Sequence, residues 1–305
     1  MTVDWESKFA TWATPPSDTE EKRINNAIRA IRRALDADSK LKPKTKVFVQ
    51  GSYRNRVNVR QESDVDIGVL YTGNSFYSEL PPGTSKVDFD IIDGDTSYSE
   101  FKNEVGQALI SHFGASAVTR GNKAFDVHEN TYRVDCDVVP VLTHRRYSTD
   151  GKFICGVELH PDDGGTIVNW PERLYDNSAW PSQHYENGVR KNSSTKRAYK
   201  GVVRILKKLQ HVMEGNGISA ATGVPGFLIE CLVWNAPNTA FMHKEWDQDV
   251  QAVLTHVWSN TDEKTKCDDW GEVSEFKYLF RGSPDTKRQS AFAFVNAAWD
   301  YIGVR

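Results

Sequence analysis

The chain has 305 residues, of which 39% are hydrophobic, so it is long and apolar enough to form one large domain or two interlocked lobes with a substantial core. Its 38 basic and 41 acidic residues give a net charge of −3, which excludes a global basic field, so constitutive binding to a nucleic-acid polymer is not expected, whereas a local basic patch is compatible with this charge. The four cysteines show no Cys-x-x-Cys spacing, no apolar stretch reaches the roughly 18 residues that span a membrane, and the N-terminus lacks a signal-peptide pattern. We therefore expect a cytoplasmic protein with reduced thiols, no zinc, no disulfide framework and no membrane partner.

The hydrophobic pattern predicts a mixed α/β half followed by a helical half, with the seam in a turn-rich segment that precedes His184. Spacing of apolar residues predicts the following elements in the first half: a helix at 19–38, strands at 47–49 and 64–70, a short strand at 87–92, a helix at 97–113 and a strand pair at 117–127 and 131–142. The helices predicted in the second half are 194–213, 226–234, 246–260, 273–280 and 286–302.

One acidic pair follows a glycine-serine turn at a short distance. Alternation along the second strand places Asp64 and Asp66 on the same face, where two repelling carboxylates need a cation, and Mg²⁺ suits oxygen ligands. The chain has six Asp-x-Asp pairs, so such a pair alone indicates little more than an acidic surface. Gly51 and Ser52, which end the preceding strand, can present backbone N–H groups and a hydroxyl to a phosphate. A turn that can bind phosphate and a pair of carboxylates that can bind a metal together predict a site for nucleotide chemistry.

A third carboxylate is expected on a later strand, where Asp135 and Asp137 share one face ahead of an apolar run. Two-metal phosphoryl transfer needs an acid beside the attacking hydroxyl, in addition to the pair that holds the triphosphate. A polar strand edge is the alternative interpretation of this pair. We assign the third acid to Asp137 and keep Asp135 as the alternative.

The helix predicted at 194–213 carries a basic stripe apart from its apolar one. Arg197, Lys200, Arg204 and Lys207 recur at helical spacing and share a face. A solvated face would explain them, but local acidic partners at i,i+4 are scarce. A nucleoside triphosphate would supply the missing negative charge.

These motifs resemble those of a known superfamily. The order of apolar strand, Gly-Ser turn, spacer and Asp-x-Asp resembles the signature of polymerase-β-like nucleotidyltransferases. The segment Asp137 to Pro140 resembles the Asp-apolar-apolar-Pro signature of the oligoadenylate synthases and the animal cytosolic DNA sensor, and Arg204 to Lys207 resembles their triphosphate-contacting run. The chain is most similar to the bacterial CD-NTases (cGAS/DncV-like nucleotidyltransferases) of the CdnE clade, in the segments GSYRNRVNVRQESDVDIGVL, VTRGNKAFDVHENTYRVDCDVVPV, QHYENGVRKN, GFLIECLVWNAPN and AAWDYIG. Gly226 departs from this pattern, where serine is expected, and residues 172–183 look longer than the family norm.

The resemblance implies an α/β (α+β) fold with two lobes. Residues 1–183 would form the nucleotidyltransferase lobe, with a mixed sheet and a long N-terminal spine helix, and residues 184–305 a helical lobe that closes the nucleotide cleft. It also implies site residues: metal-binding catalytic acids at Asp64, Asp66 and Asp137 with Mg²⁺ or Mn²⁺, and substrate-binding residues at Gly51, Ser52, Lys200, Arg204 and Lys207.

The activity implied is the joining of nucleoside triphosphates into a cyclic di- or trinucleotide second messenger, with release of pyrophosphate, in bacterial anti-phage (CBASS) signalling. Clade members that select pyrimidines use an asparagine in the base pocket, and Asn169 is the candidate for it here. Alternatively, Asn169 is only a turn residue before Trp170-Pro171. We therefore expect ATP and UTP as substrates, cyclic UMP-AMP or cyclic di-UMP as product, a separate effector and a monomeric enzyme. The alternatives are nucleotide transfer to a protein, an RNA end or a small molecule, and a catalytically silent nucleotide-binding module.

Overall fold

Two hydrophobic cores divide the chain in the computed structural model, which describes residues 3–60, 64–169 and 183–303. The first core belongs to an α/β unit, formed by residues 18–53 and 64–169. The second belongs to a helical unit, formed by residues 3–17, 54–60 and 183–303. The sequence predicted one division at 183/184. The helical unit in addition takes two short segments from the first half of the chain.

The helices are, in chain order, α1 (Trp5–Trp12), α2 (Asp18–Asp36), α3 (Gly51–Asn55), α4 (Tyr98–Phe113), α5 (Gln183–Ser194), α6 (Ala198–Gly215), α7 (Gly226–Asn235), α8 (Trp246–Thr261) and α9 (Asp285–Ile302). The strands are β1 (Thr45–Val49), β2 (Val65–Tyr71), β3 (Phe76–Glu79), β4 (Val118–Arg120), β5 (Phe125–Val127), β6 (Cys136–Tyr147), β7 (Phe153–Leu159) and β8 (Ile167–Asn169).

The α/β unit is built on a mixed eight-stranded sheet around the long strand β6. The first half of β6 pairs with β2 in parallel and with β5 antiparallel, giving the order β1-β2-β6-β5-β4. Its second half pairs with β3 in parallel and with β7 antiparallel, and β7 pairs with β8. The prediction of a mixed sheet is therefore confirmed.

Two helices of this unit form where the sequence predicts them. In α2, the residues Ile24, Ala27, Ile28 and Ile31 recur at helical spacing and are all buried. In α4, Ser97 caps the N-terminus, because its hydroxyl accepts a bond from the Glu100 amide while the Glu100 carboxylate accepts from the Ser97 amide and hydroxyl.

Residues 87–92, predicted as a strand, are not one. Lys86–Phe89 forms a single 3₁₀ turn, whose start is fixed by Ser85, since its amide and hydroxyl both donate to the Asp88 carboxylate. This local capping interaction satisfies the backbone without a partner strand, so alternation of apolar residues misled the prediction.

The helical unit packs around α6, whose apolar stripe includes the fully buried Tyr199, Val202 and Leu209. The predicted helix at 194–213 is in fact the end of α5 followed by α6, because Lys196 and Arg197 adopt positive φ angles of 50° and 74°.

The other predicted helices of this unit are formed, with one exception. Residues 273–280 were predicted to be helical and instead form turns with a bridge between Gly271 and Tyr278. Within the described ranges, every helix is too short or too polar to cross a membrane.

The packing of Phe48 on Gly68 generates a stability prediction for β2. The two residues are opposite each other in the β1–β2 pair, and a Cβ added to Gly68 would lie 2.1 Å from the Phe48 ring. We expect Gly68→Ala to lower the free energy of unfolding by about 1–3 kcal/mol through overpacking, measured by urea denaturation. Gly215→Ala is the control, since a Cβ there meets no atom within 4 Å. Equal stability of the two variants would contradict the packing argument.

Candidate active site

The turn after β1 lies directly against Asp66. Strands β1 and β2 are antiparallel, and the Gln50 amide extends their ladder by donating to the Asp66 carbonyl at 3.0 Å. Gly51 follows with a φ of +69°, and a Cβ there would lie 2.0 Å from Asp66 Oδ2. Glycine is therefore required at position 51 both by its backbone conformation and by the approach of the carboxylate. Ser52, half-buried, is the next residue of α3.

Strand pairing brings the predicted acids together. In the parallel pair of β2 and β6, Asp66 is opposite Asp137, and the Val65 amide donates to the Asp135 carbonyl at 3.2 Å just before β6 begins. On the other side of β6, the antiparallel strand β5 places Asp126 opposite Asp137. Since paired residues project to the same face of a sheet, and Asp64 and Asp135 each precede a strand acid by two residues, five carboxylates share one face. We call this set the acidic face: Asp64, Asp66, Asp126, Asp135 and Asp137.

The electrostatics of the acidic face are those of crowded anions. Partial burial, followed by repulsion from Asp135 and Asp126, raises the pKa of Asp64. Partial burial, followed by repulsion from Asp64 and Asp126, likewise raises the pKa of Asp137. A bound cation would relieve this repulsion.

The donor set at the acidic face fits a hard divalent cation. Ligand atoms of Asp126, His128 and Asp135 lie within 4.8 Å of one another, and the other side chains of the face add only carboxylate oxygens. Oxygen-rich sites of this kind suit Mg²⁺ and Mn²⁺. His128 lies at the edge of the set, where its Nδ1 is 3.5 Å from Asp126 Oδ2 and its Nε2 is 3.0 Å from the Thr119 hydroxyl.

Three of the four basic residues predicted to share a helix face, Lys200, Arg204 and Lys207, are buried on α6, whereas Arg197 is exposed and precedes that helix. Arg204 donates from Nε to the Ala13 carbonyl at 2.7 Å and from Nη1 to the Arg56 carbonyl at 2.6 Å, and its Nη2 also contacts Ala13 O. Through these contacts Arg204 anchors two segments of the helical unit. Its substrate-binding role stays a prediction.

The two lysines of this stripe have different surroundings. Lys200 Nζ lies 5.3 Å from the centre of the Tyr185 ring, and the guanidinium carbon of Arg54 lies 4.5 Å from the same ring. Lys207 Nζ is 3.5 Å from the Glu230 carboxylate, and both side chains are almost entirely buried.

Asn169 is the last residue of β8, opposite Val157 of β7, and its side chain is exposed. It is therefore a strand residue with an accessible amide, and the alternative that it belongs to a turn does not describe its backbone. Trp170 and Pro171, which the predicted turn was expected to precede, lie outside the described residues.

Comparison with known proteins decides the family. The family model for the cGAS/DncV-like nucleotidyltransferase C-terminal helical domain matches residues 186–303. Over 299 residues the chain is 38% identical to a protein of Cecembia lonarensis named cyclic dipyrimidine nucleotide synthase CdnE, a match that covers 97% of this chain and 98% of the relative. This chain belongs to the CdnE cyclic nucleotide synthases.

Two further relatives agree with this assignment. A cyclic dipyrimidine nucleotide synthase CdnE of Legionella pneumophila is 39% identical over 307 residues, covering 99% of each chain. The structure of the CdnE cyclic dinucleotide synthase of Elizabethkingia meningoseptica with GTP and Apcpp matches with a TM-score of 0.78 and 33% identity, over 98% of both chains. The predicted family, fold class and enzyme class, a nucleotidyltransferase, are confirmed.

Three residues of this CdnE protein near the predicted site residues were not found from the sequence. Asp126 could have been inferred, because the predicted strand pair at 117–127 and 131–142 brings its two strands together. Tyr185 and Glu230 could not, since their contacts with Lys200 and Lys207 depend on helix packing over long sequence separations.

The close approach of Gly51 to Asp66 predicts a specific effect on activity. Gly51→Ala would place a methyl group on the Asp66 carboxylate, so we expect nucleotide incorporation to be nearly abolished. Gly83→Ala is the matched control, because Gly83 has a similar φ of +82° with nothing within 4 Å. Both variants should lose roughly 1–2 kcal/mol of stability from the left-handed backbone, measured by thermal unfolding. If the two variants retained equal activity, contact with Asp66 would not be the reason for glycine at position 51.

Proposed function

We propose that this CdnE chain joins nucleoside triphosphates into a cyclic di- or trinucleotide that contains uridine, such as cyclic UMP-AMP or cyclic di-UMP. The observation that carries the proposal is the register of β2 and β6, which pairs Asp66 with Asp137 beside the Gly51 turn. The dipyrimidine products named for the relatives of Cecembia lonarensis and Legionella pneumophila support the choice of base.

In the proposed reaction, Asp64, Asp66 and Asp137 hold the divalent cations. When bound, such cations neutralise charge on the triphosphate and lower the pKa of an attacking hydroxyl. The Gly51 turn and the Ser52 hydroxyl bind phosphate oxygens of the donor nucleotide. A ribose hydroxyl of the acceptor attacks the α-phosphorus, its proton passes to Asp137, and the bond to pyrophosphate breaks; a second transfer closes the ring.

The register supports this role, because Asp137 is opposite Asp66 in the β2–β6 pair. Asp135 lies on the same face and is the alternative acceptor. Its carboxylate already accepts a bond from the Glu129 amide, which favours Asp137 for the reacting proton.

Lys207, assisted by Lys200, is proposed to supply positive charge for binding a triphosphate. Both ammonium groups belong to α6, and neither is fully solvated. An ion pair with phosphate is stronger for a desolvated lysine than for a solvated one. Operation in the bacterial cytoplasm as a monomer, in CBASS signalling through a separate effector, is part of the same proposal and rests on membership of the family.

Asp66→Asn tests the catalytic assignment. The chain is incubated with all four nucleoside triphosphates and Mg²⁺ or Mn²⁺, and the products are treated with phosphatase and analysed by mass spectrometry. We expect a phosphatase-resistant cyclic product from the parent chain. Asp66→Asn should reduce it by more than the roughly 10–100-fold that follows loss of an outer partner of a metal ligand.

The matched control for this test is Asp93→Asn, which changes another Asp-x-Asp pair, at an exposed residue paired with Lys86 on the surface. It should keep full activity. Activity of Asp66→Asn within about twofold of the parent would refute the metal assignment. If the parent chain made no product from nucleotides alone, the acceptor would be a protein, an RNA end or a small molecule. Absence of Mg²⁺-coupled triphosphate binding in calorimetry would indicate the silent module.

Asn169→Ser tests the base assignment. An amide can pair with a uracil edge through one donor and one acceptor, whereas serine is too short to make both bonds. In a competition of the four nucleotides we expect the uridine content of the product, relative to purines, to fall about tenfold, which corresponds to about 1.4 kcal/mol or one hydrogen bond. Asn74→Ser, at another exposed asparagine, is the control. Unchanged base preference would remove Asn169 from the pocket.

A further inference from the structure

The contacts of Lys207 with the first turn of α7 and with Glu230 restrict the position of its ammonium group. The residue projects from α6 towards the first turn of α7, and a Cβ added to Gly226 would lie 3.4 Å from Lys207 Cε and 3.8 Å from its Nζ. The side chain is 7% exposed. A flexible four-carbon stem is thus confined, and its charge is placed beside the residue that begins α7.

Glu230 is the counter-ion at this place. It lies four residues after Gly226, so the two residues share a face of α7. One carboxylate oxygen is 3.5 Å from Lys207 Nζ, and the other is 2.9 Å from His184 Nε2. Both oxygens of a side chain that is 5% exposed are therefore engaged by groups from two other helices.

The charge of Glu230 is strongly favoured despite its burial. Burial raises the pKa of a carboxyl group, but Lys207 and His184 outweigh this effect and lower the pKa of Glu230 to about 2. Glu230 is therefore an anion at neutral pH. The His184 contact, the shorter of the two, fixes its orientation, and the longer contact to Lys207 leaves the ammonium able to interact with a second anion.

We propose that Glu230 is a positioning residue that holds the Lys207 ammonium at the first turn of α7, and that His184 holds Glu230 in turn. The inference rests on the proposed function of Lys207 in binding triphosphate. A buried ammonium without its counter-ion either loses its proton or turns towards water, and both outcomes remove a localised positive charge. Glu230 thus favours nucleotide binding although its own charge has the same sign as that of the nucleotide.

The test is a double-mutant cycle on Glu230 and Lys207, with KM and kcat measured separately for nucleoside triphosphates. We expect Glu230→Gln to raise KM by roughly 10–100-fold, by analogy with the loss of an outer partner of a metal ligand, with a smaller change in kcat. Lys207→Met should raise KM at least as much. The double variant should resemble Lys207→Met, because Glu230 acts only through Lys207. Glu214→Gln, the same isosteric change at an exposed residue of α6, should leave KM unchanged.

The outcomes separate this inference from the proposed function. If Lys207→Met leaves KM unchanged, the triphosphate role of Lys207 fails, and the inference fails with it. If Lys207→Met raises KM but Glu230→Gln does not, the role of Lys207 stands and the inference is overturned. A further rise in KM when Glu230→Gln is added to Lys207→Met also overturns it, since Glu230 would then act by another route.

If circular dichroism shows that Glu230→Gln does not fold, His184→Ala provides a second test of the inference. It leaves the Lys207–Glu230 pair in place and removes the contact that orients the carboxylate, together with the ring contact to Phe227. We expect a rise in KM that is severalfold smaller than that of Lys207→Met and that disappears in the Lys207→Met background. No rise, or an equal rise in both backgrounds, would overturn the inference.

Discussion

Partial burial of the carboxylates of the acidic face, together with their mutual repulsion, is the cost that the fold of the α/β unit must overcome. The pKa values of Asp64 and Asp137 are higher in the folded chain than those of free aspartate, so ionisation of these two residues opposes folding. Their contribution to stability is favourable at low pH, where both are protonated, and is lost as the pH rises through their folded pKa values. The hydrogen-bonded ladders of β2 and β5 with β6 hold the acids together against this cost.

The helical unit also contains buried charges, but it uses two different kinds of acceptor for them. The Arg204 guanidinium is held by the backbone carbonyls of Ala13 and Arg56, which are fixed by the fold. The Lys207 ammonium is held by one carboxylate, at a longer distance. Two cations one turn apart on α6 are therefore bound by different kinds of acceptor.

Local sequence patterns were sufficient to predict helix α4 but not the break between α5 and α6. The helix at 97–113 has a capping box and a periodic apolar face, so spacing alone predicts it. The break between α5 and α6 depends on the positive φ angles of Lys196 and Arg197, residues that favour helix by propensity, and it has no signal in the apolar pattern.

The site shows the same limit. Asp64, Asp66 and Asp137 were predicted because strand alternation and motif order are local properties. Asp126 joins the acidic face because β5 pairs with β6, and Glu230 contacts Lys207 because α7 packs near α6. Neither contact can be predicted from one segment of the sequence alone. The burial of Arg204 could not be predicted from its basic stripe for the same reason: its partners are residues of two distant segments.

The path of the backbone connects the chemistry of one unit with the packing of the other. The chain leaves the α/β unit after Tyr53, directly behind the Gly51 turn, and is again part of that unit at Asp64. In the intervening stretch Val57 is buried in the core of the helical unit. The Gly51 turn and Asp64 thus flank a segment that contributes Val57 to the other core. The helical core therefore takes Phe9, Ala13 and Val57 from outside residues 186–303, and those residues taken alone would lack part of their own interior.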